Sequence, residues 1–315
     1  MNRCPITLEA IPEGHCYSRA GLKRLDPRLR DLQPLPYTQA QQLEEAAARA
    51  DKMSVQGVQP KLSAVLRVKQ GRYEVVDRGG RFILKPCPPE WPEVPANEAL
   101  TMTLAGLAGI EVPVHGLVAA TDASWVYFIR RFDRAGQGER LPLEDGAQLL
   151  GQTRDTKYDS SLEQVVGMID RFCTFPVIEK RKLMQRVWFG FLTGNEDMHL
   201  KNWSLLSRDG RIALSPAYDL LNTSVVLKNP QEESALPIRG RKRNLNRSDL
   251  LDYLAVERCG LPPDLVRADL SQLLAQAEAE WPGWIQRSFL SEPKREAYLH
   301  LVRERVARLR GERMD

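Results

Sequence analysis

The stretch GNEDMHLKN, residues 194–202, followed by Tyr-Asp at 218–219, decides how the rest of this 315-residue chain is read. It comes straight after an apolar run, VWFGFLT (187–193), and it sets one of only four histidines, His199, between Asp197 and Asn202. Acid, amide and imidazole side chains at the end of an apolar helix either terminate that helix or do chemistry. Asn195 and Asp197 are residue types that cap helices, so these nine residues alone leave both readings open.

Asp197 and Asn202 are five apart. That is the spacing of acid and amide in the catalytic loop of protein kinases, where Asp accepts or orients the proton of the attacking hydroxyl and Asn ligates magnesium. The next segment, WSLLSRDGRIALS (203–215), reads as a hairpin turning at Asp209-Gly210. A hairpin returns the chain to its start, so Asp219 is expected beside Asn202 as a second oxygen ligand for Mg²⁺. His199 is expected to orient the loop through its ring nitrogens, and Lys201 to neutralise charge on a transferred phosphoryl group.

Bulk composition narrows the classes. An apolar fraction of 43% and a charged fraction of 27% belong to a globular chain, and the length allows two lobes. No apolar run approaches the roughly 18–20 residues of a membrane span, and the start, MNRCPITL, lacks the basic-then-apolar pattern of a signal peptide. A cytoplasmic location is the expectation. Five scattered cysteines fit reduced thiols rather than a disulfide framework. Cys4, His15 and Cys16 have no C-x-x-C partner that would make a zinc site. The net charge of +4 is a small imbalance and does not argue for a nucleic-acid binder. The basic run RGRKRNLNR (239–247) reads as a solvated face or a partner contact.

Along the chain, residues 1–37 are rich in proline and turn formers and read as an irregular arm with one short helix. Residues 38–50 have a cap residue and strong helix formers. Short β-branched and aromatic runs follow at 63–69, 72–77 and 81–85, separated by glycine turns, and predict a meander of antiparallel strands. A helix is expected over 96–108, with Gly109 as its stop, then strands over 112–119 and 124–131. Beyond 142 the pattern is helical: 161–172, 177–193, 248–258, 263–278 and 293–310.

The β-rich part adds candidates. SVQGVQPK (54–61) is a loop whose backbone N–H groups would fold over phosphates, although it has one glycine rather than three. Lys85 ends the third strand and Glu98 lies in the first turn of the next helix; a strand lysine paired with a helix glutamate is how kinases hold the α- and β-phosphates. A surface lysine and a carboxylate favoured by a helix N-terminus are the plain alternatives. RRFDR (130–134) lies where a kinase has its hinge, or is a strand end with exposed arginines. The occurrence of all these parts in order favours the kinase reading over coincidence.

With these residues assembled, the sequence resembles the HipA family of bacterial serine/threonine kinases, and within it the short form, HipT, of HipBST toxin–antitoxin modules. The resemblance rests on SVQGVQPKL (54–62), FILK (82–85), Asn97-Glu98, VPVH (112–115), RFDR (131–134), GNEDMHLKN (194–202) and SPAYD (215–219). It implies an α+β, two-lobed protein-kinase-like fold: an arm and helix at 1–53, a small β-rich N-lobe at 54–135 and a larger helical C-lobe at 136–315. It implies ATP and Mg²⁺, with Asp197 as catalytic acid/base assisted by His199 and Lys201, and Asn202 and Asp219 as the metal ligands. Gln56, Gly57, Val58, Gln59, Pro60 and Lys61 would cover the nucleotide, Lys85, held by Glu98, would bind its phosphates, and Arg130, Arg131 and Phe132 would form the hinge. His199, Leu200, Lys201, Asn202, Tyr218 and Asp219 would complete the pocket.

Ser54 aligns with the serine that family members autophosphorylate, and a phosphate there would act as an off-switch. The short form often has a second loop serine, where this chain has Gln56. The implied substrate is an aminoacyl-tRNA synthetase. The implied partners are a HipB-like helix-turn-helix antitoxin, through which DNA would be met, and a HipS-like small protein in place of the N-terminal subdomain of full-length HipA; no membrane partner is implied. A non-catalytic, pseudokinase-like module of a repressor complex and a small-molecule kinase are the competing readings. Intact Lys85, Asp197, Asn202 and Asp219 weigh against the first.

Overall fold

Hydrophobic runs between residues 62 and 130 pair into one antiparallel sheet. In a computed structural model, residues 2–49, 59–136, 138–153, 155–226 and 232–311 are described. The opening elements are α1 (Arg19–Leu25), α2 (Gln39–Ala48), β1 (Leu62–Arg67), β2 (Arg72–Val75), β3 (Phe82–Lys85), α3 (Val94–Leu107), β4 (His115–Ala119) and β5 (Trp125–Arg130). Thr38 caps α2 in a reciprocal box with Gln41. The strand order is β2-β1-β3-β5-β4, with every neighbour antiparallel. The third strand therefore passes to the far side of β1 instead of continuing the expected meander on β2. Gly80 permits this close passage, since a Cβ there would collide with Ser63 Oγ, and the Arg81 N–H bonds the Ala64 carbonyl at 2.9 Å.

The arm at 2–37 is irregular apart from α1 and isolated bridges between Arg3 and Ala10 and between Leu35 and Ala120, yet it is part of the core. Leu22, Leu25, Leu29, Leu32 and Leu35 are buried in the same cluster as Tyr73, Phe82 and Phe128 of the sheet, each burial being worth about 1.5–3 kcal/mol. Its backbone is stitched to the sheet: the Leu117 N–H bonds Pro5 O (3.0 Å), the Leu35 N–H bonds Ala119 O (2.9 Å) and the Gln33 N–H bonds Gly71 O (2.7 Å). The arm thereby covers the edge of β4, which would otherwise expose unpaired backbone groups.

The chain divides into two compact units. One comprises Met1–Leu100, Pro113–Arg140 and Gln286–Ser291; the other comprises Thr101–Val112, Leu141–Ile285 and Glu292–Asp315. The first also holds the short ladder of β6 (Arg134–Ala135) and β7 (Glu139–Arg140).

The second unit runs β8 (Leu143–Asp145), α4 (Gly146–Leu149), α5 (Leu162–Phe172), α6 (Pro176–Thr193), β9 (Ser204–Arg208), β10 (Arg211–Leu214), a π-helix (Ser248–Arg258), α7 (Pro263–Ala279), α8 (Trp281–Arg287, whose last two residues fall in the first unit) and α9 (Glu292–Arg310). Its three-stranded sheet has the order β10-β9-β8. Trp188, Phe189 and Leu192 of α6 are buried, and Trp281 meets Phe189 edge to face at 5.4 Å.

Two charged residues of α6 are buried as well. Glu179 Oε2 accepts from the Leu214 N–H (2.9 Å), and the Arg186 guanidinium donates to the Ser215 carbonyl (2.5 Å). Burial pulls the Arg186 ionisation down to about 10. Together they hold the end of β10, from which residues 216–219 lead off. No described helix is long and apolar enough to cross a membrane.

Candidate active site

The loop at 194–202 begins where α6 is forced to stop. Gly194 is left-handed (φ 64°), and a Cβ at this position would collide with Leu301 and Ser224. Its carbonyl accepts from the Thr223 N–H (3.0 Å) and the Thr223 hydroxyl (2.9 Å), which ties the loop to the 222–224 turn. Asn195 is buried, and its Oδ1 accepts from the Asp197 N–H at 3.1 Å. Asn195 thus closes a local turn rather than capping a helix, while Asp197 projects from the turn with its side chain 43% exposed.

The Asn202 amide donates to the Asp197 carbonyl at 2.7 Å, and the Trp203 indole donates to the Met198 carbonyl at 3.2 Å. His199 Nε2 is 4.0 Å from Asp197 Oδ1. Burial pulls the His199 imidazole below its ordinary range, against the attraction of the Asp197 and Asp219 carboxylates, with the Lys157 ammonium adding to the fall. The ring is neutral at pH 7 in consequence. His199 Nδ1 and Asn195 Nδ2 are buried without a hydrogen-bond partner among the described residues.

The expected hairpin brings the second half of the motif back. Asp209 (φ 50°) and Gly210 (φ 71°) form a two-residue turn with both φ positive. β9 and β10 pair from Arg208↔Arg211 to Leu205↔Leu214, and the Ser215 N–H adds a bond to the Ser204 carbonyl (2.9 Å). The Tyr218 hydroxyl then donates to the Lys201 carbonyl (2.7 Å) and accepts from the Ser204 hydroxyl (2.5 Å). Desolvation pushes ionisation of this phenol well up. Asp219 follows in the left-handed conformation (φ 59°), which aspartate adopts more readily than most non-glycine residues.

The Lys201 ammonium, expected to neutralise charge on a transferred phosphoryl group, pairs with Asp145 at 2.7 Å. Asp145 also caps α4, and a Cβ on the neighbouring Gly146 would lie 2.8 Å from the Leu200 carbonyl, so the β8–α4 corner is pressed against the loop. Asp145 and Tyr158, whose hydroxyl donates to Asp197 Oδ1 at 2.6 Å, went unrecognised in the sequence. The only sign of Tyr158 was an aromatic residue in a polar turn.

In the first unit, Lys85 Nζ lies 2.6 Å from Glu98 Oε1, with side-chain exposures of 9% and 1%. Glu98 falls in the second turn of α3 rather than the first, because the helix begins at Val94. Lys85 also lies 5.5 Å from the centre of the Tyr127 ring.

The proposed hinge is partly occupied. The backbone N–H groups of Arg130 and Arg131 bond Val114 O and Arg81 O, both at 2.8 Å. The Arg130 guanidinium bonds the Leu25 carbonyl and lies over Phe82, whereas Arg131 grips Asp133 with two bonds of 2.9 and 2.7 Å. Phe132 follows two residues after the end of β5 at Arg130. Gln59, Pro60 and Lys61 precede β1, whereas Ser54, Gln56, Gly57 and Val58 lie outside the described residues. In the basic run, Arg241 pairs with Asp249, Lys242 with Glu232, and Arg239 lies over Tyr253.

Known proteins bear on this geometry. A putative kinase of Haemophilus influenzae is 26% identical over 342 residues, spanning 98% of each chain. The serine/threonine-protein kinase toxin HipA of Shewanella oneidensis is 26% identical over 260 residues, 73% of this chain and 57% of that one. The fold matches HipA of Shewanella oneidensis, solved with HipB and its operator DNA, at a TM-score of 0.69 and 22% identity, over 98% of this chain and 78% of that one. The family model for the HipA-like C-terminal domain matches residues 53–281. That span holds both the buried Lys85–Glu98 pair and the loop closed by Tyr218, and the chain is a member of the HipA-like C-terminal domain family.

Proposed function

We propose that the protein is an ATP- and Mg²⁺-dependent serine/threonine kinase of a toxin–antitoxin module. The observation that carries this reading is the bond from Tyr218 to the Lys201 carbonyl. It joins the segment bearing Asp219 to the loop bearing Asp197 and Asn202, the three side chains that phosphoryl transfer requires.

Asp197, solvent-accessible at the rim of the loop, accepts the proton of the acceptor hydroxyl. The hydroxyl oxygen bonds to the γ-phosphorus of ATP, the bond between that phosphorus and the β,γ-bridging oxygen breaks, and ADP leaves with the electron pair. The Asn202 amide oxygen and the Asp219 carboxylate are hard oxygen donors of the kind Mg²⁺ takes. Asn202 is oriented by its bond to Asp197 O, and Asp219 follows the residue whose hydroxyl bonds the Lys201 carbonyl, so these residues fit the ion. Mg²⁺, when bound, supplies charge neutralisation at the phosphate oxygens. Neutral His199 keeps the loop in shape, and Lys201, committed to Asp145, anchors it. In the first unit, Lys85 steadied by Glu98 takes the nucleotide phosphates, Gln56–Lys61 covers them, and the segment 130–132 meets the base.

The acceptor we assign is a serine of an aminoacyl-tRNA synthetase, whose modification would stop charging and translation. Ser54 is assigned as the self-phosphorylated residue that switches the enzyme off. A HipB-like antitoxin is the proposed partner, in keeping with the solved complex of the Shewanella relative, with DNA reached through it and a HipS-like protein as a further partner. The test is incubation with γ-labelled ATP, Mg²⁺ and a panel of purified synthetases, with small-molecule acceptors in parallel. Label on one synthetase supports the reading. Label only on a metabolite, or on nothing, overturns it.

A further inference from the structure

Tyr158 comes from the turn between α4 and α5, 39 residues before Asp197, and no motif marks it. The residue is 39% exposed, so core packing does not place its hydroxyl. Specific contacts do. The hydroxyl donates to Asp197 Oδ1 at 2.6 Å, the ring meets His199 edge-on at 5.2 Å, and the Lys157 ammonium lies 4.9 Å from the ring centre. The backbone is tied in as well, since the Leu200 N–H bonds the Lys157 carbonyl at 3.2 Å.

The two oxygens of Asp197 are consequently unlike. Oδ1 carries the phenol and faces His199 Nε2 at 4.0 Å. Oδ2 makes no hydrogen bond among the described residues, and the side chain is 43% exposed. An exposed aspartate turns easily about its terminal torsion, whose energy wells are broad. An acid/base that must meet a hydroxyl in line with a phosphorus atom loses rate through such freedom.

We propose that Tyr158 is a positioning residue for Asp197: by donating to Oδ1 it fixes the carboxylate plane, so that Oδ2 is the atom that accepts the proton of the acceptor hydroxyl. This rests on the assignment of Asp197 as the acid/base under the proposed function. Desolvation, the hydrogen bond to Asp197 and the nearby carboxylates of Asp197 and Glu232 all push the phenol ionisation up, so Tyr158 keeps its proton and acts as donor rather than as acceptor of the phosphoryl group. A tyrosine donor on one oxygen leaves the other as base without consuming it, which a lysine salt bridge across both oxygens would not do.

The experiment compares wild type, Tyr158→Phe and Asp197→Ala. Initial rates of labelling from γ-labelled ATP are measured over a range of ATP concentrations, on the chain itself or on one synthetase of a purified panel, whichever wild type labels faster. Tyr158→Phe is expected to lower kcat about 10- to 100-fold, the worth of a hydrogen bond to a charged group, with KM for ATP unchanged. A second readout needs no turnover: ¹³Cζ-tyrosine NMR of wild type and Asp197→Asn, in which loss of the carboxylate charge is expected to let Tyr158 titrate at lower pH. Full kcat in folded Tyr158→Phe, or an unmoved Tyr158 titration in Asp197→Asn, overturns the inference while active wild type and dead Asp197→Ala leave the kinase reading standing. Inactive wild type, or fully active Asp197→Ala, removes that reading and this inference with it.

Discussion

The Asn202 side-chain amide donates to the Asp197 backbone carbonyl at 2.7 Å, so the residue assigned to the metal also closes the loop that presents the base. The two duties are separable. Asn202→Asp keeps an oxygen ligand but puts a carboxylate against the carbonyl in place of a donor. It is expected to cost about 1–3 kcal/mol of stability and at least tenfold in transfer rate, read by chemical denaturation and γ-phosphate labelling. A stable Asn202→Asp variant with undiminished rate would deny the loop-closing role.

Lys85 and Glu98 form a buried pair, and removal of one partner leaves a buried charge uncompensated. Lys85→Met and Glu98→Gln are each expected to lose about 3–5 kcal/mol of stability, with Lys85→Met/Glu98→Leu recovering most of it. Nucleotide affinity should be lost in Lys85→Met and in the double variant alike. Equilibrium denaturation alongside binding of a fluorescent ATP analogue separates structural from functional loss.

Acid sensitivity should arise in the first unit. Burial depresses the ionisation of His115 from 6.5 to about 4, although its Nδ1–H donates to the Pro113 carbonyl (2.8 Å), and Arg24 adds to the depression. Between those values the unfolded chain binds the proton and the folded one does not. The stabilisation is therefore whole above pH 6.5 and is lost progressively down to about pH 4, to the extent of about 3 kcal/mol. His115→Phe should flatten that part of the stability–pH curve, measured by denaturant midpoints.

Tyr218→Phe removes the bonds to the Lys201 carbonyl and from the Ser204 hydroxyl. The expected cost is about 1–3 kcal/mol, with a raised Mg²⁺ requirement for transfer because Asp219 is no longer tied to the loop. Titration of labelling rate against Mg²⁺ checks it.

Local chemistry was legible in the sequence. The Asp209-Gly210 turn needs positive φ at both positions, which aspartate and glycine tolerate, and the hairpin stands at Ser204–Leu214 within the expected 203–215. The Thr38–Gln41 cap is likewise a short-range signal, and the long helices of the second unit begin and end within a residue or two of their periodic patterns. What depends on distant parts of the chain was not legible. The passage of β3 beyond β1 is decided where Gly80 meets Ser63, and burial of the arm proceeds through leucines whose helix-like spacing of three and four runs on past the end of α1 at Leu25 into irregular chain. Glu179 and Arg186 look like surface charges on α6, but they are buried against backbone groups at the end of β10. The contact between Tyr158 and Asp197 joins two turns that no spacing rule connects.

The central claim is that Asp197 serves phosphoryl transfer from ATP. The most direct measurement is intact mass of the purified protein before and after incubation with Mg²⁺ and ATP, with a synthetase panel present and Asp197→Ala alongside. The account predicts a phosphate gained on Ser54 or on a synthetase with wild type and none with folded Asp197→Ala. No gain on any protein with wild type, or the same gain with the variant, would contradict it.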